Sequence, residues 1–285
     1  MSDKIVLGVD IGGSHITSAL VNVNNGTLVE GSHYRAKVDS QGSVEDIINA
    51  WCGVMLKSLQ SDTHSGKVAI AMPGPFDYIN GISYMKGMGK FDALYEQDIR
   101  TLILHAIGNS IHEIYFYNDA GCFLQGELAC GPASAYKNVM GFTLGTGFGS
   151  AIGTEGLATD ASYWQFPFMG GICEDFFSSK WLVSKYNIYS GNQVNNVKEL
   201  IDTVQRADPL FQVFDEFGIN LGIFLSKLYK NTPLDCVVLG GNIAKASSLF
   251  LPQLQNYMSA RSISLPIFIS EKGENAALIG AAYSR

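Results

Sequence analysis

No C-x-x-C pair occurs among the five cysteines (52, 122, 130, 173 and 236), and their number is odd. That distribution fits reduced thiols in a cytoplasm better than a disulfide framework, and small buried hydrophobes account for most of them. Basic residues are outnumbered, 19 Lys and Arg against 26 Asp and Glu, for a net charge of −7. A surface built to hold phosphate backbones carries a basic stripe, so nucleic acid is not an expected partner. No apolar run reaches the length of a membrane span, and the N-terminus has no charged-then-apolar leader. The expectation is a cytoplasmic protein with no membrane partner.

What the 285 residues do hold is an alternation of strand-like and helix-like segments, which is an α/β pattern. "KIVLGVD" (4–10), "KVAIAMPG" (67–74), "EIYFYNDA" (113–120) and "LDCVVLGGN" (234–242) read as buried strands, and "SLPIFIS" as a short one. "HITSALVNV" (15–23) and "TLVEGSHYR" (27–35) flank Asn25-Gly26, the preferred two-residue hairpin turn. Helical spacing links Val44, Ile47, Ile48, Trp51, Met55 and Leu59 behind an N-cap at Ser43, and a second helix covers 96–107, ended by Gly108. A short helix follows Asp119. A longer helical stretch aligns Leu210, Phe214, Phe217, Leu221, Phe224 and Leu228, and "ENAALIGAAYS" (274–284) reads as a small-residue helix. After Lys137 the pattern restarts. "VLGVDIGGSHITSAL" (6–20) and "VMGFTLGTGFGSAIG" (139–153) are both strand, glycine loop, strand, with Asp10 matching Thr143 and Gly12 matching Gly145. A single wide repeat indicates a two-lobed duplication.

One glycine loop after a strand usually marks only a tight turn. Three of them, at Gly12-Gly13, Gly145–Gly147 and Gly240-Gly241, point further. Glycines let successive backbone N–H groups approach an anion and form a phosphate nest. Asp10 beside such a loop would only repel a polyphosphate unless a divalent cation lies between them, and Mg²⁺ is commonly held by one or two carboxylates plus water. The set suggests a nucleoside triphosphate clamped between two lobes.

Six segments, "GVDIGGSHITSALV", "AMPGPFDYINGIS", "YNDAGCFLQGELACG", "FTLGTGFGSAIG", "VVLGGNIAKA" and "ENAALIGAAY", stand in the same order as the motifs of the ROK family and resemble them. That family holds bacterial sugar kinases and sugar-responsive repressors, with the hexokinase–actin-like (ribonuclease H-like) ATPase fold. The resemblance runs from residue 5 to the end and is weakest around 155–230. It implies two lobes around a cleft, one of residues 1–118 plus 271–285 and one of 119–270. Asp10, Gly12, Gly13 and Ser14 would form the first phosphate loop, with Asp10 near Mg²⁺ through water. Gly145, Thr146 and Gly147 would form the second, and Gly240 and Gly241 would lie against the adenosine. Asn118 and Asp119 match the sugar-binding pair, the aspartate being the catalytic base, and Gly74 falls on the sugar side. His15 stands where many relatives carry a lysine; a phosphate contact there competes with an ordinary strand histidine. ROK proteins are frequently dimers, so the resemblance allows a homodimer.

The sugar side departs from the family. Relatives carry E-x-G-H after the second glycine loop and then a zinc motif, C-x-C-G-x-x-G-C-x-E. Here the interval is shortened into "SYWQFPFMGGICEDFF" (162–177). One placement sets E-x-G-H on Gln165–Phe168 and loses both polar ligands; a shifted one puts Ser162 at the Glu and Gln165 at the His. Cys173 has no cysteine or histidine within thirty residues, so no zinc is expected, since structural zinc generally takes four N or S ligands at short spacing. Glu174 fits the final glutamate of the motif, with Asp175 as its competitor. Trp164, Phe166 and Phe168 could stack on a sugar's C–H face, although core burial is the default for such rings.

The resemblance therefore implies an ATP-dependent, Mg²⁺-requiring, glucokinase-like phosphorylation of a hexose or hexose derivative, with sugar and ATP as the small-molecule partners. The alternative is a non-catalytic or weakly catalytic sugar-sensing regulator. DNA-binding relatives carry a helix-turn-helix ahead of the first strand, and four residues leave no room for one here.

Overall fold

A computed structural model describes residues 4–204 and 212–284, without the side chain of Val204. Leu210, assigned above to the long helix, lies outside the described residues. The chain forms two compact units. The first takes the residues up to Ser134, Gly156–Thr159 and those from Glu274; the second takes Ala135–Glu155 and Asp160–Gly273. The division thus falls after Ser134, whereas the resemblance draws it after residue 118.

The first unit is built on β1 (Ile5–Ile11), β2 (His15–Asn22), β3 (Thr27–Leu28), β4 (Tyr34–Lys37), β5 (Lys67–Met72) and β8 (Glu113–Asn118), with a small hairpin of β6 (Phe76–Asp77) and β7 (Ile82–Ser83). The sheet runs β3-β2-β1-β5-β8, with β4 also on β2; β1, β5 and β8 are mutually parallel and β2 is antiparallel to β1. The Asn25-Gly26 turn is longer than two residues. Asn22 pairs with Thr27, and Gly26, at φ 68°, donates its N–H to the Asn22 carbonyl. The strand expected over 27–35 is split into β3 and β4, because the chain leaves the sheet at Val29 and turns through Gly31 (φ 75°) and Ser32 before rejoining β2.

Alternation assigns the two faces of this sheet. Val68, Ile70 and Met72 join Leu7, Val9 and Ile11 in the core under α1 (Val44–Leu59) and α2 (Ile99–Ile107). Ser43 caps α1 reciprocally with Asp46, as the sequence indicates. The second helix starts at Ile99 rather than 96, because Asp98 caps it. Ala69 and Ala71 face the other way, against Cys122 of α3 (Asp119–Cys130) and Ala277 and Ala281 of α9 (Asn275–Tyr283). These two helices touch at glycines: a β-carbon on Gly126 would meet the Ala276 carbonyl oxygen at 2.1 Å.

In the second unit, β9 (Asn138–Leu144) and β10 (Phe148–Thr154) repeat the hairpin of β1 and β2. Ile11 pairs with Ile16 and Leu144 with Phe148 at the two loop ends, so Asp10 and Thr143 are topological equivalents. β14 (Cys236–Gly240) runs parallel to β9, and β15 (Ile267–Ile269) parallel to β14. After β11 (Leu157–Asp160), the 162–177 stretch forms a one-turn helix at Tyr163–Gln165. It continues as a tight hairpin of β12 (Pro167–Phe168) and β13 (Gly171–Ile172), then the short α4 (Glu174–Phe177). α5 (Ser179–Ser190), α6 (Val197–Val204), α7 (Gln212–Asn231) and α8 (Ser247–Ser259) complete the unit. Phe214, Phe217, Leu221, Phe224 and Leu228 of α7 are buried, as their spacing predicts. Phe168 and Phe177 pack against Phe224 and Cys173 is fully buried beside them; burial pushes its thiol up to about 12. Trp164 and Phe166 differ from the default, remaining 44% and 39% exposed.

Close helix contact has a measurable signature. Gly126→Ala forces α3 and α9 apart and is expected to cost about 1–3 kcal/mol in denaturant unfolding. Gly53→Ala, at an exposed helical position with nothing within 4 Å, is expected to stabilise by up to about 1 kcal/mol.

Candidate functional site

Parallel pairing collects the first group of residues. Asp10 is level with Ala71, Ala71 with Tyr117, and Met72 with Asn118, so Asp10, the Pro73-Gly74 turn and the Asn118-Asp119 junction share the C-terminal edge of the sheet. Ligands of parallel α/β sheets bind at that edge. Asn118 is the N-cap of α3. Its Oδ1 accepts from the Gly121 N–H (2.9 Å), and its Nδ2 donates to the Tyr78 hydroxyl (3.3 Å), which itself donates to the Met72 carbonyl. The cap contact fixes which amide atom is which and leaves an Nδ2 hydrogen to donate. Asp119, the first residue of α3, accepts the Ala120 N–H on Oδ1 (2.9 Å). Gly74 precedes a cis peptide bond to Pro75 and approaches the Tyr78 hydroxyl. Tyr78 is a contributor that sequence reasoning did not find; nothing in its spacing marks it.

Asp10 and Asp119 feel each other. Enclosure first, and the Asp119 charge second, push the Asp10 carboxyl up to about 7, against the pull of Arg35, which is paired with Glu274. A carboxylate that faces a like charge is stabilised by a cation, and a donor set of one or two carboxylates suits Mg²⁺. The first glycine loop follows Asp10: the Gly12 N–H bonds the His15 carbonyl, and Ser14 Oγ lies 2.8 Å from His15 Nδ1. Burial, then Arg35 and Lys37, lower the pKa of His15 below the ordinary imidazole value.

The second unit gathers the other glycines. Ser179, at the start of α5, donates both its N–H (2.7 Å) and Oγ (2.8 Å) to the Gly145 carbonyl. Glu174 Oε2 accepts the Phe148 N–H at 3.0 Å, and a β-carbon on Gly147 would lie 2.8 Å from that oxygen. Gly241 (φ 86°) presses on Leu144, whose carbonyl accepts the Ile243 N–H. The second and third glycine loops are thereby locked together. Beside them opens a cavity of about 780 Å³, lined by Thr146, Ser179, Lys180, Asn196, Asn242 and Lys245 among others. That volume is in the range of small-molecule sites. Glu174 is committed to the glycine loop through one oxygen. Gln165 is exposed, and no hydrogen bond joins it to Glu174 among the described residues. Asp175 Oδ2 accepts the Ile172 N–H and so supports its own turn. Ser179 is another contributor missed, though the serine pair after "EDFF" was its one available signal.

The sign of the Asp10 effect is testable. Its native pKa of about 7 lies above the ordinary aspartate value of 3.8, so the stability it contributes is present below about 4 and is lost as pH rises toward 7. Asp10→Asn is expected to raise the melting temperature relative to wild type at pH 8 and to narrow or abolish that gain at pH 4, read by thermal denaturation without divalent cation.

The chain is similar to known proteins along nearly its whole length. The ROK family model matches residues 6–284. An N-acetyl-D-glucosamine kinase of Mannheimia succiniciproducens is 22% identical over 309 residues, covering 98% of each chain, and one of Pasteurella multocida is 25% identical over 308 residues, covering 96% of this chain and 97% of its own. A ROK family glucokinase from Streptomyces griseus, solved in complex with glucose and AMPPNP, superposes with a TM-score of 0.79 at 19% identity over 98% of each chain. The fold is therefore the actin-like ATPase fold of these kinases, and the chain belongs to the ROK family.

Proposed function

We propose that the protein is an ATP-dependent kinase of a hexose or hexose derivative, with Asp119 as the base. The observation that carries this is the Asp10–Asp119 acid pair at the strand ends, next to an Asn118 whose amide is fixed as a donor. Phosphoryl transfer asks the protein for positioning, charge neutralisation and a group that takes the hydroxyl proton. Asn118 and the Gly74 turn orient the sugar, and Asp119 accepts the proton of the attacking hydroxyl. Glu174 and Gln165 are secondary sugar-side residues, Glu174 also bracing the second loop. Asp10 would hold Mg²⁺, which would neutralise phosphate charge when bound. Gly12, Gly13 and Ser14 receive phosphate at the first loop; Gly145, Thr146 and Gly147 receive it at the second. The adenosine lies along Gly240 and Gly241, which directly precede Asn242, a lining residue of the 780 Å³ cavity.

The relatives are named for phosphorylation of N-acetylglucosamine, N-acetylgalactosamine and glucose, which sets the panel to assay. ADP release with Mg-ATP is expected for at least one of these sugars. Asp119→Asn is expected to lower kcat by about 10²–10⁴-fold while the protein stays folded, the range typical for loss of a positioned base. A folded variant with kcat within a few-fold of wild type overturns the role of Asp119. No turnover with any sugar, while ATP still binds, overturns the kinase reading in favour of a sugar-binding regulator.

A further inference from the structure

The segment "YMKGMGKF" (84–91) has no motif assignment, yet its last lysine reaches the first glycine loop. A β-carbon built on Gly13 would stand 3.4 Å from Lys90 Cδ, so the lysine stem lies across the open side of that glycine. Its ammonium is two bonds further on, at the end of a flexible stem. The backbone around Lys90 is tethered on both sides. Gln41 Nε2 donates to the Gly89 carbonyl at 2.6 Å, and the Phe91 N–H donates to the Ser40 carbonyl at 2.8 Å. The Phe91 ring is fully buried, edge-on to Trp51 with centroids 5.3 Å apart. Phe91 itself sits at φ 57° and Gly89 at φ 70°, so the turn that aims Lys90 is specific. A lysine on a merely solvated loop has no need of such anchoring.

Two further facts describe what Lys90 faces. The N–H groups of Gly13 and Ser14 have no acceptor among the described residues, whereas the Gly12 N–H is used inside the loop. Lys90 makes no ion pair among the described residues either. Unused amide donors beneath an unpaired cation form a nest for an anion of more than one charge.

We propose that Lys90 is a phosphate-binding residue of the first glycine loop, its ammonium neutralising the terminal phosphoryl group of the nucleotide over the Gly13 and Ser14 amides. The inference rests on the kinase reading and assigns a charge that this reading leaves open. In the reaction the terminal P–O bond to the leaving diphosphate breaks and the bond to the sugar oxygen forms. The sugar proton passes to Asp119, and Lys90 changes no covalent bond.

The test is calorimetric titration of wild type, Lys90→Met and Lys90→Arg with AMP-PNP, ADP and AMP in Mg²⁺ buffer, beside steady-state kinetics and a melting curve. Lys90→Met is expected to bind AMP-PNP at least about tenfold more weakly and to bind AMP as wild type does, with an unchanged melting temperature; one lost charge-assisted contact supports that size of effect. Lys90→Arg is expected to recover part of the AMP-PNP affinity. A loss confined to AMP-PNP supports the ammonium at the terminal phosphate; a loss shared equally with ADP overturns that placement. Equal AMP-PNP affinity in Lys90→Met and wild type overturns the proposal, as does a loss shared equally by AMP. Wild type that binds no nucleotide overturns this inference and the kinase reading together. Wild type that binds AMP-PNP but turns over no sugar overturns the kinase reading alone, with Lys90 still decided by the binding comparison.

Discussion

The parallel pairing of β1, β5 and β8 is the constraint on which the first unit's chemistry depends. Parallel strands end together, so three stretches of chain separated by helices deliver their C-terminal residues to one edge. Asp10, Gly74, Asn118 and Asp119 meet there for that reason. Close packing beneath them keeps the edge in place. Ala69 and Ala71 offer the sheet a nearly flat face, and α3 and α9 press together through Gly126 and Gly280, where no side chain intervenes. Because Asp119 opens α3, any shift of that helix would move the carboxylate with it.

The second unit solves a different problem, which is to hold a glycine loop still without side chains of its own. Three neighbours do so from outside. Ser179 clasps the Gly145 carbonyl twice, Glu174 takes the Phe148 amide, and the Gly241 turn seats against Leu144. Each contact is to backbone, so Gly147 and Gly241 must lack a β-carbon for the partners to approach. A carboxylate that the family pattern places on a sugar is here a strut for the second glycine loop.

The stretch 162–177 shows how a motif is lost without loss of fold. Its hairpin turns at Met169 and Gly170, both at positive φ, and Phe168, Cys173 and Phe177 point into the core around Phe224. Cys173 serves there as an apolar side chain. Trp164, on the one-turn helix Tyr163–Gln165, and Phe166, which directly follows it, stay at the surface.

Much of this was legible in the sequence, for a physical reason. Buried strands are continuous apolar runs, helices repeat apolar residues every three to four positions, and a loop that must approach phosphate is rich in glycine. Those local rules yield the strands, the capped α1, the duplicated hairpin and Asp10 beside its glycine loop, whereas Asn118 and Asp119 rest on the family resemblance. Local rules cannot yield contacts between segments remote in sequence. That Tyr78 orients Asn118, that Ser179 grips Gly145, and that Lys90 crosses Gly13 follows from tertiary packing, because each pair is 34 or more positions apart and no periodicity joins them. The split of the expected 27–35 strand has the same origin. The sequence determined which residues are candidates for the chemistry; the tertiary structure decided which neighbours hold them in place and what charge surrounds them.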